Sequence, residues 1–271
     1  AETFPAETIV VCDRGGIARV DKGRNVLAGG ASGLILANTP DGATSVADDA
    51  HVLPAIHINS FDGDIVRNWL ASGENHIATI AGRSVESDSS KAKIAAGFTS
   101  RGPNASVPNV IKPSIAAPGV DIYAAYADDQ SAGFKQFPDP KDFDFLSGTS
   151  MASPHIAGAL TLLSALQPEW TPAQAQSALM LTADLVTTKE DGITPSDYFD
   201  MGAGFANLEA AAQSGLVMDE SYSGYMKANP EIGGLPENIN LASMANACCV
   251  GTCTWQRTVT ATQDATWNTS S

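Results

Sequence analysis

Ser150 is the residue with the clearest capacity for chemistry. It stands in Phe145-Leu146-Ser147-Gly148-Thr149-Ser150-Met151-Ala152-Ser153-Pro154-His155, where a short apolar lead-in gives way to small residues and then to a helix-forming run from Met151 to Leu166. A serine at the mouth of a helix holds its hydroxyl beside first-turn amides that have no carbonyl of their own helix to bond. Such preorganised donors stabilise the oxyanion formed when a hydroxyl attacks a carbonyl carbon. Gly148 carries no side chain and lets a second chain approach the hydroxyl closely.

Serine is also a common helix cap with no chemistry. An esterase elbow of the Gly-x-Ser-x-Gly kind is disfavoured, because Ala152 occupies the last glycine position. That fold also places its histidine after the serine, and His155 is the only histidine there. Five helical steps turn the chain by about 500°, leaving the two side chains about 140° apart. His155 therefore reads as a structural residue and not as the base for Ser150.

Gly148-Thr149-Ser150-Met151-Ala152-Ser153-Pro154-His155, followed by Ile156-Ala157-Gly158-Ala159, resembles the nucleophile motif of the subtilisin-like serine peptidases, the subtilases. The likeness is long and ungapped. It implies a serine endopeptidase that hydrolyses polypeptides through an acyl-enzyme on Ser150. The Ser150 N–H is then an oxyanion donor, Gly148 lies beside the substrate, and Thr149 and Met151 flank the nucleophile. In this family the triad runs Asp, His, Ser along the chain. The Asp-Thr-Gly and His-Gly-Thr motifs have no counterpart before Ser150, and the oxyanion asparagine is missing as well. His51, His57 and His76 lack the family context, and Asn104 stands in a different motif. The chain thus reads as the C-terminal piece of a protease, one catalytic residue of three, inactive alone and completed by the upstream half of its catalytic domain. The competing reading is a non-catalytic protein-interaction module.

With 271 residues and 44% hydrophobic residues, the chain can bury a real core. A net charge of −15 argues against nucleic acid or an anionic membrane as partner. No run is long enough to span a bilayer. Four cysteines are too few for a disulfide scaffold. Cys12 sits in an apolar run and is expected to be buried. Cys248, Cys249 and Cys253 cluster in a polar stretch, where a local disulfide to Cys253 is expected if the protein is exported. Zinc is disfavoured for want of a fourth nearby ligand.

The elements around this motif suggest an α/β architecture in three parts. Residues 1–81 alternate strand and helix. Ile9-Val10-Val11-Cys12 reads as a strand, then comes a helix carrying Ile17, Val20, Arg24 and Leu27 that stops at Gly29-Gly30. Further strands are expected at 33–37 and 54–58, before a helix bearing Ile65, Val66, Trp69 and Leu70. Val10-Val11-Cys12-Asp13-Arg14-Gly15 and Leu34-Ile35-Leu36-Ala37-Asn38 resemble the protease-associated domain that many subtilases carry, which implies no catalytic role for His51, His57 or His76.

Residues 82–220 resemble the C-terminal part of the subtilase parallel-sheet catalytic domain. The likeness rests on Thr99-Ser100-Arg101-Gly102-Pro103-Asn104, on Lys112-Pro113-Ser114-Ile115-Ala116-Ala117-Pro118-Gly119 and on Gly202-Ala203-Gly204-Phe205-Ala206-Asn207-Leu208-Glu209-Ala210. Ser114 departs from the family's aspartate. Strands are expected at 94–99 and 120–124. The helix after Ser150 is apolar nearly all round and is expected to be buried. Thr171-Pro172-Ala173-Gln174 has the form of a capping box opening a helix to about residue 183. No cofactor is implied, but the family often holds structural calcium, and the acidic stretch 127–144 offers Asp128, Asp129, Asp139, Asp142 and Asp144 without an EF-hand spacing. Residues 221–271 shift to a linker composition and end in Trp255–Thr262, which looks like the start of a β-sandwich. The resemblance implies a secreted protein.

Overall fold

The computed structural model describes residues 2–82, 88–89, 92–126 and 142–267. The chain divides into two compact units, one formed mainly by residues 1–92 and 119–148, the other mainly by 99–118 and 149–271.

In the first unit, β1 (Ile9–Asp13), β2 (Gly33–Ala37) and β3 (Ala55–Ile58) form a parallel sheet in that order. β2 is central, and its Gly-Leu-Ile-Leu-Ala sequence is apolar throughout because both faces are covered. Leu34 and Leu36 are fully buried and pack with Val26, Ala31 and Leu53. Helix α1 (Arg19–Ala28) supplies Val26 and closes at Gly29-Gly30, where Gly30 adopts φ +95°. Its buried positions are Gly23 and Val26, whereas Leu27 is exposed; Ile17, expected on this helix, lies before its start in a bridge to Gly15 and is exposed. Helix α2 (Ser60–Ala71) starts at Asn59, whose side chain accepts the Asp62 N–H at 2.9 Å. It approaches the end of β2 through Gly63, while Ile65, Trp69 and Leu70 stay exposed. Cys12 is half-buried rather than buried, at the margin of this core.

The connection from β2 to β3 has no helix, and polar ties hold it instead. Arg14 and the Asn38 side chain both donate to the Ser45 carbonyl, at 2.6 and 3.0 Å. Arg19 forks onto Asp49. The Ala47 N–H donates to His57 Nδ1 at 3.0 Å, and His57 Nε2 lies 2.8 Å from Asn38 Oδ1. A neutral imidazole with its proton on Nε2 satisfies both contacts. β4 (Ile122–Ala125) and β5 (Phe143–Leu146) pair antiparallel, with Tyr123 against the rings of Phe143 and Phe145.

The second unit is built on helix packing. α3 (Thr149–Leu166), α4 (Pro172–Leu181), the short α6 (Leu208–Ala212) and β6 (Leu216–Val217) enclose Leu163, Ala175, Ala178, Leu179, Ala211 and Val217. The expected capping box is present: Thr171 Oγ1 accepts the Gln174 N–H at 3.1 Å and Gln174 Oε1 accepts the Thr171 N–H at 2.9 Å. α3 departs from expectation. Only Leu163 is buried, and Leu162 and Leu166 are 54% and 62% exposed. Its other contacts with the core run along the stripe of Ile156, Ala159 and Leu160, and the remaining apolar residues have no such cover.

Two expected strands are also corrected. Residues 94–99 make a single bridge, Ile94 with Thr188, instead of a strand. Of Trp255–Thr262, only β7 (Thr260–Ala261) is a strand, and it pairs with β6. Among the described residues neither segment has a second extended neighbour to continue the ladder. Short helices α5 (Tyr198–Met201) and α7 (Tyr222–Lys227) complete the unit.

A buried ion network pins the Thr99–Pro118 segment. Asp200 is almost fully buried and accepts from Arg101, from Lys189 at 3.3 Å and from the Asp197 N–H at 2.9 Å. Burial alone would raise its pKa. The Asp197 amide and the two cations outweigh that and hold the carboxyl below its ordinary value. Next to it, Gly202 at φ +63° packs where a Cβ would run into the Pro113 and Ser114 carbonyls. The Ala203 N–H donates to the Ser114 carbonyl at 3.0 Å, and Ser114 Oγ accepts from Lys112 at 2.9 Å. The serine thus keeps a hydrogen bond at the position where the resemblance implies an aspartate.

Two predictions follow from these contacts. Asp200→Asn removes the charge that compensates Arg101 and Lys189 and lowers stability by about 3 kcal/mol in urea unfolding; an unchanged midpoint contradicts this. His51 and His57 are held below the ordinary histidine value, first by burial. Arg14, Arg19 and Asp49 also face His57. The unfolded chain therefore takes up protons that the folded chain refuses, so stability is full above pH ~6.5 and falls below it. Thermal unfolding between pH ~7 and ~5 measures this slope, which His57→Asn reduces; a protein that stabilises on acidification contradicts it.

Candidate active site

Leu146 ends β5, and Ser147-Gly148 connects it directly to α3. Both linking residues are tied down. Ser147 Oγ donates to Asp121 Oδ1 at 2.9 Å and accepts the Asp121 N–H at 2.7 Å. The Gly148 N–H donates to the Gly119 carbonyl at 2.8 Å. These ties use Gly119 and Asp121, which close the Lys112–Gly119 motif and follow it. Asp121 itself is in the left-handed region at φ +48°. Reading the motifs one by one does not reveal them, because their members lie 26 residues or more apart.

Ser150 is the second residue of α3 and is exposed. Its N–H belongs to the first turn, where the helix supplies no carbonyl. Thr149 is exposed and Met151 half-buried on either side of it. Pro154 lies inside the helix and cannot donate to the Ser150 carbonyl four residues earlier. The local arrangement offers a solvent-accessible hydroxyl, an uncommitted amide on the same residue and a glycine two positions before it. It can deliver an alkoxide to a carbonyl once a base removes the proton.

No histidine of the chain is placed as that base by its contacts. His155 is exposed and its Nδ1 donates to the Met151 carbonyl at 2.8 Å, which turns the ring onto its own helix. His57 is spent on Asn38 and Ala47. His51 Nδ1 and His76 Nε2 are buried without a hydrogen-bond partner, the latter ring packing edge-on to Trp69. Asn104 Oδ1 accepts the Ser106 and Val107 amides and so builds a turn. Asp128, Asp129 and Asp139 lie outside the described residues. Asp144 caps the Phe145 amide at 2.9 Å, and among the described residues no group of three or more His, Cys, Asp or Glu converges on a point. Cys249 pairs with Cys253, leaving Cys12 and Cys248 as free thiols.

Comparison with known proteins accounts for the motif. Residues 24–205 match the subtilase family, a span that contains Ser150 and the Lys112–Gly119 segment. The chain is 38% identical over 251 residues to subtilisin-like protease SBT1.6 of Arabidopsis thaliana, covering 89% of this chain and 32% of the relative. It is 39% identical over 235 residues to SBT1.7 of the same plant, covering 81% and 30%. The chain therefore spans about a third of the length of the curated relatives it matches. With two thirds of its residues inside the family match, this chain belongs to the subtilase family.

Proposed function

We propose that this chain carries the nucleophile of a serine endopeptidase. The observation that supports it is an exposed Ser150 in the first turn of α3, inside Gly-Thr-Ser-Met-Ala-Ser-Pro-His and inside the family match. Ser150 Oγ attacks the scissile carbonyl, its own N–H holds the developing oxyanion, and Gly148 leaves room for the substrate backbone. Histidine and aspartate from the longer protein take and stabilise the proton, and water then releases the acyl group. Substrate lies extended along the cleft. The interaction-module reading is not favoured, because the family match includes the nucleophile segment.

Residues 1–81 act in this reading as a protease-associated domain, 82–220 as the C-terminal part of the catalytic domain, and 221–271 as a linker leading into a β-sandwich. The parallel sheet of β1–β3, with a helix crossover between β1 and β2, suits the first assignment. No cofactor is part of this proposal, and structural calcium in the longer protein would supply no catalytic step. An extracellular location fits the Cys249–Cys253 disulfide. No helix among the described residues is long and apolar enough to cross a membrane.

A fluorophosphonate probe tests the assignment. The chain alone remains unlabelled and the full-length protein labels. In the full-length protein Ser150→Ala abolishes labelling and lowers kcat by roughly 10⁶-fold. Labelling that survives Ser150→Ala contradicts it. Peroxide oxidation of Met151 to the polar sulfoxide slows acylation in the full-length enzyme, and Met151→Leu protects it. Unchanged activity with Met151 shown to be oxidised contradicts this second expectation.

A further inference from the structure

The second unit carries three cysteines within residues 248–253. Cys249 and Cys253 form a disulfide, and Cys248, immediately before Cys249, is a free and exposed thiol. The chain on either side is clamped. Arg257 donates to the carbonyls of Glu237, Leu241 and Ser243, at 3.1, 2.9 and 2.9 Å. The Trp255 indole N–H donates to the Ala245 carbonyl at 3.3 Å, and the Ala247 N–H donates to Asn109 Oδ1 at 2.9 Å. Between these clamps the tip stands in solvent: Val250 is 94% exposed, and Gly251 turns the chain at φ +86°. A nucleophile and an electrophile of the same reaction therefore sit on one exposed turn, one peptide apart.

We infer that residues 248–253 are a thiol–disulfide exchange site, with Cys248 the attacking thiol, Cys253 the central sulfur and Cys249 the leaving group. The Cys249 and Cys253 Cα atoms are 5.9 Å apart. The Cys248 Cα is one residue further along the chain, about 3.8 Å from that of Cys249. A small rotation of the exposed tip exchanges one cysteine for the other opposite Cys253, and the loop being closed changes by one residue. In the reaction the Cys248 thiolate forms a bond to Cys253 Sγ, the Cys249–Cys253 bond breaks, and Cys249 leaves as a thiolate that takes up the proton Cys248 released. One disulfide and one thiol are present before and after, so no oxidant or reductant is consumed. The free thiol migrates between neighbouring positions, and the same exposed thiol is open to small external disulfides such as oxidised glutathione.

The test is thiol mapping of the whole chain. After incubation at mildly alkaline pH and an acid quench, the protein is alkylated with N-ethylmaleimide, digested without reduction and sequenced by mass spectrometry. The inference expects the label on both Cys248 and Cys249; label confined to Cys248 overturns it. Cys249→Ser supplies an independent reading through thiol titration in denaturant after air oxidation. The inference expects a Cys248–Cys253 bond with Cys12 alone left free, as in Cys248→Ser, where the original bond is fixed. If Cys248, Cys253 and Cys12 all titrate in Cys249→Ser, Cys248 does not reach Cys253 and the inference fails. Because the wild-type mapping needs no variant, a Cys249→Ser protein that does not fold leaves the decision with that mapping.

Discussion

The amides at the start of an α-helix have no carbonyl behind them, and the Ser150 segment is arranged around that deficit. A helix beginning at Thr149 leaves the Ser150 N–H in its first turn with nothing in the helix to bond. The hydroxyl and one of those amides are on the same residue, so their separation varies little. The residues just before are tied within their own unit, Ser147 to Asp121 and Gly148 to Gly119. On the C-terminal side Leu163 locks α3 against α4 and α6. Ser150 itself is exposed.

The remainder of the second unit positions this helix by burying small residues and neutralising charge. Ala175, Ala178 and Ala211 let α3, α4 and α6 approach closely around Leu163 and Leu179. The loops beyond them are held by directional polar contacts, with Asp200 at the centre. A buried carboxylate is costly unless paired, and here Arg101, Lys189 and the Asp197 amide all converge on it. The arrangement specifies one geometry for the Arg101-Gly102-Pro103 turn relative to the segment 189–202. The first unit also relies on polar contacts, with Arg14, Asn38 and His57 holding the loop between β2 and β3 where a crossover helix is absent.

Much of this is visible in the sequence where the determinants are local. The helix start next to Ser150, the Thr171–Gln174 capping box, the Gly29-Gly30 stop and the strands of the first sheet each depend on neighbours a few residues apart, and each is found where expected. What fails is whatever requires knowing the partner. α3 is apolar on every side, so its sequence cannot show which stripe meets the core; packing selects Ile156, Ala159, Leu160 and Leu163 and leaves Leu162 and Leu166 outside. Residues 94–99 and 255–262 have strand-like composition, yet a strand needs a ladder and they find only Thr188 and β6 respectively. The cysteine pairing belongs to the same class: Cys248 and Cys249 are equivalent by composition, and the local turn decides for Cys249. The ties of Ser147 to Asp121 and of Arg101 to Asp200 span long stretches of chain and carry no local signature.

The most direct measurement is a crystal structure of the longer protein after reaction with a peptide aldehyde. The expected result is a covalent bond from Ser150 Oγ to the aldehyde carbon, with the resulting oxygen within hydrogen-bond distance of the Ser150 N–H. An adduct on another residue, or an oxygen turned away from the start of α3, would contradict it.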